Sequence, residues 1–349
     1  MDTMAFRSSG GRFREMDSQH RPRRSWWHDH RHLIHQLNQR YYRQWHRAEQ
    51  LQREVDRYRR WLGGPLRLAK WLRRCLLPVA EIEVIRPVCQ PLVESATLPT
   101  GKVSLIIPFR DQPALLRNCL ASLRQGTFTE RELILLDNGS IEPRTHRLLR
   151  KLCERNAARV IDCSGPFNFS RLCNQGAQQA TGDWLLFLNN DTEVLTPAWL
   201  ERMLAVAGRP DVGVVGATLL YPGGTIQHAG LFPTPAGRWV HADRGRDLQA
   251  VLDEQPAVRR VPAVTAACLL IRRSLFESLG GFNEALPLTY NDIELCCRVR
   301  QRGLHVALTA HARLLHYEGI SRGFSPDEPG TAHLRALPRF PERIRERQD

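Results

Sequence analysis

VSLIIPFRDQPALLRNCLASLRQGTFTERELILLDNGS, residues 103–140, holds two apolar runs joined by a segment of helical length. Val103–Pro108 is almost continuously apolar, as a parallel strand covered on both faces must be. Leu115–Leu123 places Leu115, Leu116, Cys119, Leu120 and Leu123 at helical spacing. Glu132–Asp137 is a second strand. Toward the C-terminus the alternation continues with a basic helix from Arg144 to Glu154, a strand at Arg159–Asp162, a helix over Asn168–Ala180 and a strand at Trp184–Leu188. Repeated strand and helix predict an α/β fold, an open and mainly parallel sheet flanked by helices.

Toward the N-terminus the pattern changes. Residues 1–30 read as a disordered basic tail, without apolar periodicity. Residues 31–78 read as an amphipathic basic helical segment. Ile34, Leu37, Tyr41, Trp45, Ala48, Leu51, Val55, Tyr58 and Leu62 recur every three or four positions, until Gly63, Gly64 and Pro65 interrupt them. Such a stripe suits packing on the body of the protein, a coiled-coil seam for self-association, or peripheral contact with an anionic membrane. The net charge of +14 is concentrated here: residues 1–78 hold 18 Lys and Arg against 7 Asp and Glu, leaving +3 for residues 79–349. No nucleic-acid-binding module accompanies the charge, so nucleic acid is not the expected partner. Residues 79–100 read as a linker.

In open α/β sheets ligands bind beyond the carboxyl ends of the strands. Pro108-Phe109-Arg110-Asp111 follows the first strand, Asp137-Asn138-Gly139-Ser140 the second, and Asn189-Asn190-Asp191-Thr192-Glu193 the fourth. Carboxylates stand where a dinucleotide-binding domain has glycines. A phosphate ligand facing carboxylates needs a divalent cation between them.

These segments, with NFSRLCNQGAQQATGDWLLFLNNDTEVL, GTIQHAG, AACLLIRRSLFESLGGFNEAL, YNDIELCCRVRQRG and LLHYEGISRG, resemble the family 2 glycosyltransferases. The resemblance covers residues 101–323 in order. It implies a GT-A-type sheet of the nucleotide-diphospho-sugar transferases, preceded here by the helical extension. It also implies inverting transfer of a sugar from a nucleotide-sugar donor to a glycan or glycolipid hydroxyl, in synthesis of a cell-surface polysaccharide or lipid-linked glycan. On the donor side it places Pro108, Arg110, Asp137, Asn138, Arg171, Asn189 and Asp191. Asn189, Asp191 and His316 fall at the positions expected to hold Mg²⁺ or Mn²⁺. Asp292 matches the catalytic base, and Gly281, Phe282 and Glu294 fall on the acceptor side. The chain departs from the family pattern at Asn189 and Asn291, which stand where acids are expected. His228 belongs to the pattern without an evident role.

Two other readings compete. An inactive glycosyltransferase-like scaffold would act through the N-terminal helix. A nucleotidyltransferase would need a glycine-rich basic loop after the first strand, which PFRDQPALL lacks. Nine cysteines without a CxxC pair suggest free thiols in a reducing compartment, with Cys296 and Cys297 as packing residues. With no apolar run of membrane-spanning length and no secretory signal, the expected location is the cytoplasm, including its membrane face. RFPERIRERQD reads as the start of a helix, so the tail at 324–349 is expected to be truncated.

Overall fold

The computed structural model of the protein describes residues 89–95, 97–125, 130–234 and 238–317. The expected basic tail, the helical segment 31–78, most of the linker and the residues after Tyr317 lie outside this range.

The chain opens with β1 (Val103–Phe109), α1 (Pro113–Ser122), β2 (Arg131–Asp137), α2 (Pro143–Glu154), β3 (Arg159–Asp162), α3 (Phe169–Gln178) and β4 (Trp184–Leu188). Each element read from sequence in this half is present. It continues through β5 (Thr192–Val194), α4 (Trp199–Ala207), β6 (Val212–Leu220), β7 (Ile226–His228), β8 (Leu231–Pro233) and β9 (Trp239–His241). Then come α5 (Leu248–Glu254), β10 (Val258–Arg260), β11 (Cys268–Arg272), α6 (Arg273–Ser278), α7 (Asn291–Gln301) and β12 (His305–His316).

One sheet has the order β10-β12-β6-β11-β4-β1-β2-β3, with β5 added on β12 and β7 on β6. From β3 to β4 all neighbours are parallel. β11 runs antiparallel to both β4 and β6, and β12 is parallel to β6. β8 and β9 form a separate two-stranded ribbon.

The strands read as continuous apolar runs because both faces are covered. In β1 and β4, Ile106, Leu185 and Phe187 join the core under α3, α6 and α7, while Leu105, Ile107, Leu186 and Leu188 join the core under α1, α2 and α4. α3 lies very close to the sheet at Gly176, where a Cβ would stand 2.5 Å from Ile106 Cγ2 and 3.0 Å from Leu136 Cδ1. Gly176→Ala should therefore destabilise the protein. Overpacking costs about 1–3 kcal/mol, against the roughly 1 kcal/mol that alanine gains over glycine in a helix. A lower denaturant midpoint with unchanged slope is the expected result.

The chain steps outward from β1 through β2 to β3, then returns to the other side of β1 as β4. That reversal places a crevice beyond the carboxyl ends of β1 and β4. Pairing between these two strands stops at Ile106 and Phe187. Val103 and Phe109 bond toward β2, so by alternation Pro108 faces the β4 side, where its missing N–H falls past the last pair.

Candidate functional site

Asn189, Asn190 and Asp191 follow β4 directly and are all buried. Antiparallel pairing of β5 with β12 sets Thr192 opposite His316. β12 stays paired with β6 across a register shift between Thr309 and Arg313, and beyond it Leu314–His316 also pair with β5. The imidazole of His316 consequently lies against the triplet. Its Nε2 is 3.2 Å from Asn189 Nδ2 and 3.3 Å from Asp191 Oδ1. Its Nδ1 is 2.7 Å from Gln227 Oε1. An amide oxygen only accepts, so Nδ1 carries a proton, while Nε2 faces both the Asn189 amide nitrogen, which can donate to it, and Asp191 Oδ1. A lone pair and a carboxylate oxygen this close need a proton or a cation between them.

Asp292 opens α7 and is half-buried. Its Oδ1 accepts from Ile293 N at 2.8 Å and its Oδ2 from Ala266 N at 3.2 Å. Burial pushes its carboxyl above the usual aspartate range, and these backbone donors oppose the shift only in part. The next residue of the same turn, Ala267, accepts from Asn189 N at 3.0 Å. The turn 265–267 thus ties Asp292 to the triplet.

His228 supplies what the sequence left unexplained. Its Nε2 accepts from Thr265 N at 3.3 Å, and its Nδ1 lies 2.9 Å from His241 Nδ1. Burial drives the pKa of His228 far down and that of His241 to about 3, so both rings are neutral. His228 must then donate from Nδ1 to His241. His228→Ala would remove the acceptor of Thr265 N and leave a cavity, costing about 2–3 kcal/mol. Urea unfolding should show that loss, and turnover should fall further than binding because the turn holding Asp292 loosens.

Beyond the carboxyl end of β2, Asp137 Oδ1 accepts from Ser140 N at 2.8 Å. Asp111, not singled out in the sequence, joins two loops. Its Oδ1 accepts from Ile141 N and Glu142 N at 2.9 and 2.8 Å, and its own N donates to Ser140 Oγ. An aspartate two residues before a helix-opening proline carries no signal that it ties down the loop leading into a different helix. Asn138 is buried and donates through Nδ2 to Cys163 O and Gly165 O, bracing the exit of β3. Arg171 Nη2 donates to Pro166 O at 2.6 Å, which folds it over the same loop. Arg110 is exposed, and Pro108 is buried in β1. These side chains border the carboxyl ends of β1–β3.

The three residues expected on the acceptor side have internal work. Phe282 is buried among Phe169, Phe187 and Phe276. Gly281 has φ 75°, and a Cβ there would meet Asn174 Oδ1 at 2.6 Å. Glu294 forms a two-point pair with Arg298, whose guanidinium also donates to Leu279 O and Gly281 O. Their side chains build the turn before α7. Asn291 is also buried, donating to Leu286 O. Glu193 points to Asn118 on α1, and burial raises its carboxyl. Cys296 and Cys297 are buried free thiols, as packing requires.

Among the described residues no three His, Cys, Asp or Glu side chains gather as a cation cage. None of the described helices is long and apolar enough to cross a membrane.

The chain is 40% identical over 228 residues to the O-antigen biosynthesis protein RfbC of Myxococcus xanthus, an alignment covering 64% of this chain and 18% of the relative. It is 38% identical over 241 residues to protein y4gI of Sinorhizobium fredii, covering 68% of this chain and 26% of the relative. It therefore spans about a quarter or less of the length of these two relatives. The N-acetylglucosaminyl-diphospho-decaprenol L-rhamnosyltransferase of Mycobacterium tuberculosis is 25% identical over 245 residues, 62% of this chain and 76% of that one. Among solved structures, GalNAc-T7 with UDP, GalNAc and Mn²⁺ superposes with a TM-score of 0.52 at 18% identity, covering 64% of this chain and 44% of that one, a likeness of fold. The model of glycosyl transferase family 2 matches residues 104–280. That match spans half of the chain, and with the GT-A sheet beneath it the protein belongs to glycosyl transferase family 2.

Proposed function

We propose that the chain is an inverting glycosyltransferase that moves a sugar from a nucleotide-sugar donor to a hydroxyl of a glycan or glycolipid, in polysaccharide or lipid-linked glycan synthesis. The observation that carries this reading is the corner where Asn189, Asp191 and His316 meet, tied through Ala266 and Ala267 to Asp292.

The corner fits a divalent cation. Asp191 Oδ1 and His316 Nε2 are 3.3 Å apart, and adjacent ligand atoms on an octahedral cation lie about 3 Å apart. The Gln227 bond fixes the imidazole with its lone pair inward, as a supporting partner of a metal-bound histidine does. Asn189 adds a neutral amide. One carboxylate and one imidazole leave room for donor phosphate oxygens, the usual sharing of a Mg²⁺ or Mn²⁺ site with substrate. Such a cation would offset the charge growing on the departing diphosphate.

Asp137, with Arg171 and Arg110 nearby in the fold's edge loops, suits the nucleoside. Asp292 accepts the proton of the acceptor hydroxyl as that oxygen attacks the anomeric carbon. Its raised carboxyl pKa brings a normally weak base closer to working pH. One displacement with one base inverts the centre. The segment 31–78 adds a membrane contact or a self-association seam, and sedimentation at low and high salt separates the two.

A thermal-shift screen of nucleoside diphosphates with and without Mn²⁺, followed by donor hydrolysis with the nucleotide sugars that stabilise, tests the reading. Metal-dependent stabilisation by one diphosphate is expected. Stabilisation by none, with no donor turnover, would leave a scaffold.

A further inference from the structure

α1 and α2 border a groove of about 450 Å³, lined from the start of α1 to Arg117 and along α2 from Arg144 to Lys151. Its rim carries Arg117 from α1 and Arg144, Arg147 and Lys151 from α2, over an apolar floor that includes Pro113 and Leu148. All four cations are exposed, and none is engaged by a carboxylate among the described residues. Asp111, two residues before α1, is committed to Ile141 N and Glu142 N. Residues 79–349 together carry only +3, so four unopposed positive charges here are a local concentration, not a share of a basic background. Like charges this near one another repel, and the arrangement becomes favourable when an anion joins it.

We propose that this groove docks the protein on an anionic phospholipid surface. Charge complementarity selects an anion. The apolar floor, together with Ile141, which is 77% exposed two residues before α2, selects an amphipathic one. Phospholipid phosphates meet the rim while glycerol and acyl carbons cover Leu148, Pro113 and Ile141. An acidic peptide or a nucleic acid would satisfy the cations but leave the isoleucine in water. The position adds to the case. α1 and α2 follow directly on β1 and β2, so the groove adjoins the strand edge that carries Asp137 and the Asn189–Asp191 triplet. Docking there brings a membrane-borne hydroxyl beside the proposed transfer site. Binding at this surface needs neither donor nor turnover.

The test is co-sedimentation of the full chain with vesicles of phosphatidylcholine alone or with one-third phosphatidylglycerol. Binding to the anionic vesicles is expected to fall roughly twentyfold in Arg144→Gln/Arg147→Gln, from about fivefold per neutralised arginine at the surface. Arg150→Gln/Arg155→Gln removes the same charge from α2 and its C-cap, outside the groove, and should change binding by less than about twofold. Ile141→Ser should weaken the fraction that remains bound at high salt. Equal losses in the two double variants would reduce the effect to bulk charge and overturn the proposal. So would full retention by the groove variant, which would assign the attraction to other parts of the chain. Binding of polyglutamate or duplex DNA that the groove variant loses while its binding to anionic vesicles is retained would give the groove to an acidic polymer instead.

Discussion

Asp292→Asn is expected to lower sugar transfer by about a hundredfold or more while leaving nucleoside-diphosphate binding nearly unchanged. The loss belongs in turnover because the amide cannot take the acceptor proton. Fold stability should move by no more than about 1 kcal/mol. Asparagine keeps one oxygen for Ile293 N or Ala266 N and gives up the other, but it also relieves the burial of a charge. The wild-type pH profile carries a second signature. The folded carboxyl sits above the usual aspartate range, so activity should fall as pH drops through that raised value. The residual activity of the variant should lack this limb. The same shift has a sign for stability. A carboxyl whose folded pKa is raised binds its proton more tightly in the folded state, so it detracts from stability as pH rises through the window between its unfolded and folded values. Near-normal transfer by the variant would remove Asp292 from the role of base.

The second large effect concerns the cation corner. Asp191→Ala removes its charged ligand, and Mn²⁺ should then lose its ability to tighten nucleoside-diphosphate binding, by on the order of tenfold or more. Asn189→Asp should act in the other direction. It replaces an amide 3.2 Å from His316 Nε2 with a carboxylate, and added ligand charge should raise cation affinity by on the order of tenfold. Calorimetric Mn²⁺ titrations at fixed diphosphate measure both. If neither variant shifts the metal dependence, the diphosphate binds elsewhere.

The first half of the domain was legible because its strands are buried on both faces. Val103–Phe109 and Trp184–Leu188 are apolar throughout, and the helices between them show their spacing plainly. The second half was not. β5, β7, β8, β9 and β10 each have three residues, too few for any period to show. Asp191 and Asp292 could be singled out in the sequence, and so could His316, by resemblance. What joins them could not. The bond from Ala267 to Asn189 and the seat of Thr265 on His228 are backbone contacts between distant segments, and backbone leaves no trace in residue type. Glu294 shows what the sequence hides about a partner. An acid near a proposed base looks chemical, yet Arg298 one turn later takes both of its oxygens.

The late arrival of β12 bears on how the protein is made. Asn189 and His316 are 127 residues apart, so the ribosome releases the β1–β4 half well before the strand that completes the corner. Until then β6, buried at all nine positions in the finished fold, is left with an open edge opposite β11. An apolar strand with a free edge recruits other strands. The growing chain thus passes through an interval in which it is prone to self-association and has no complete cation corner. Chains released before His305 should accumulate as insoluble material, whereas chains released after Tyr317 should escape that fate.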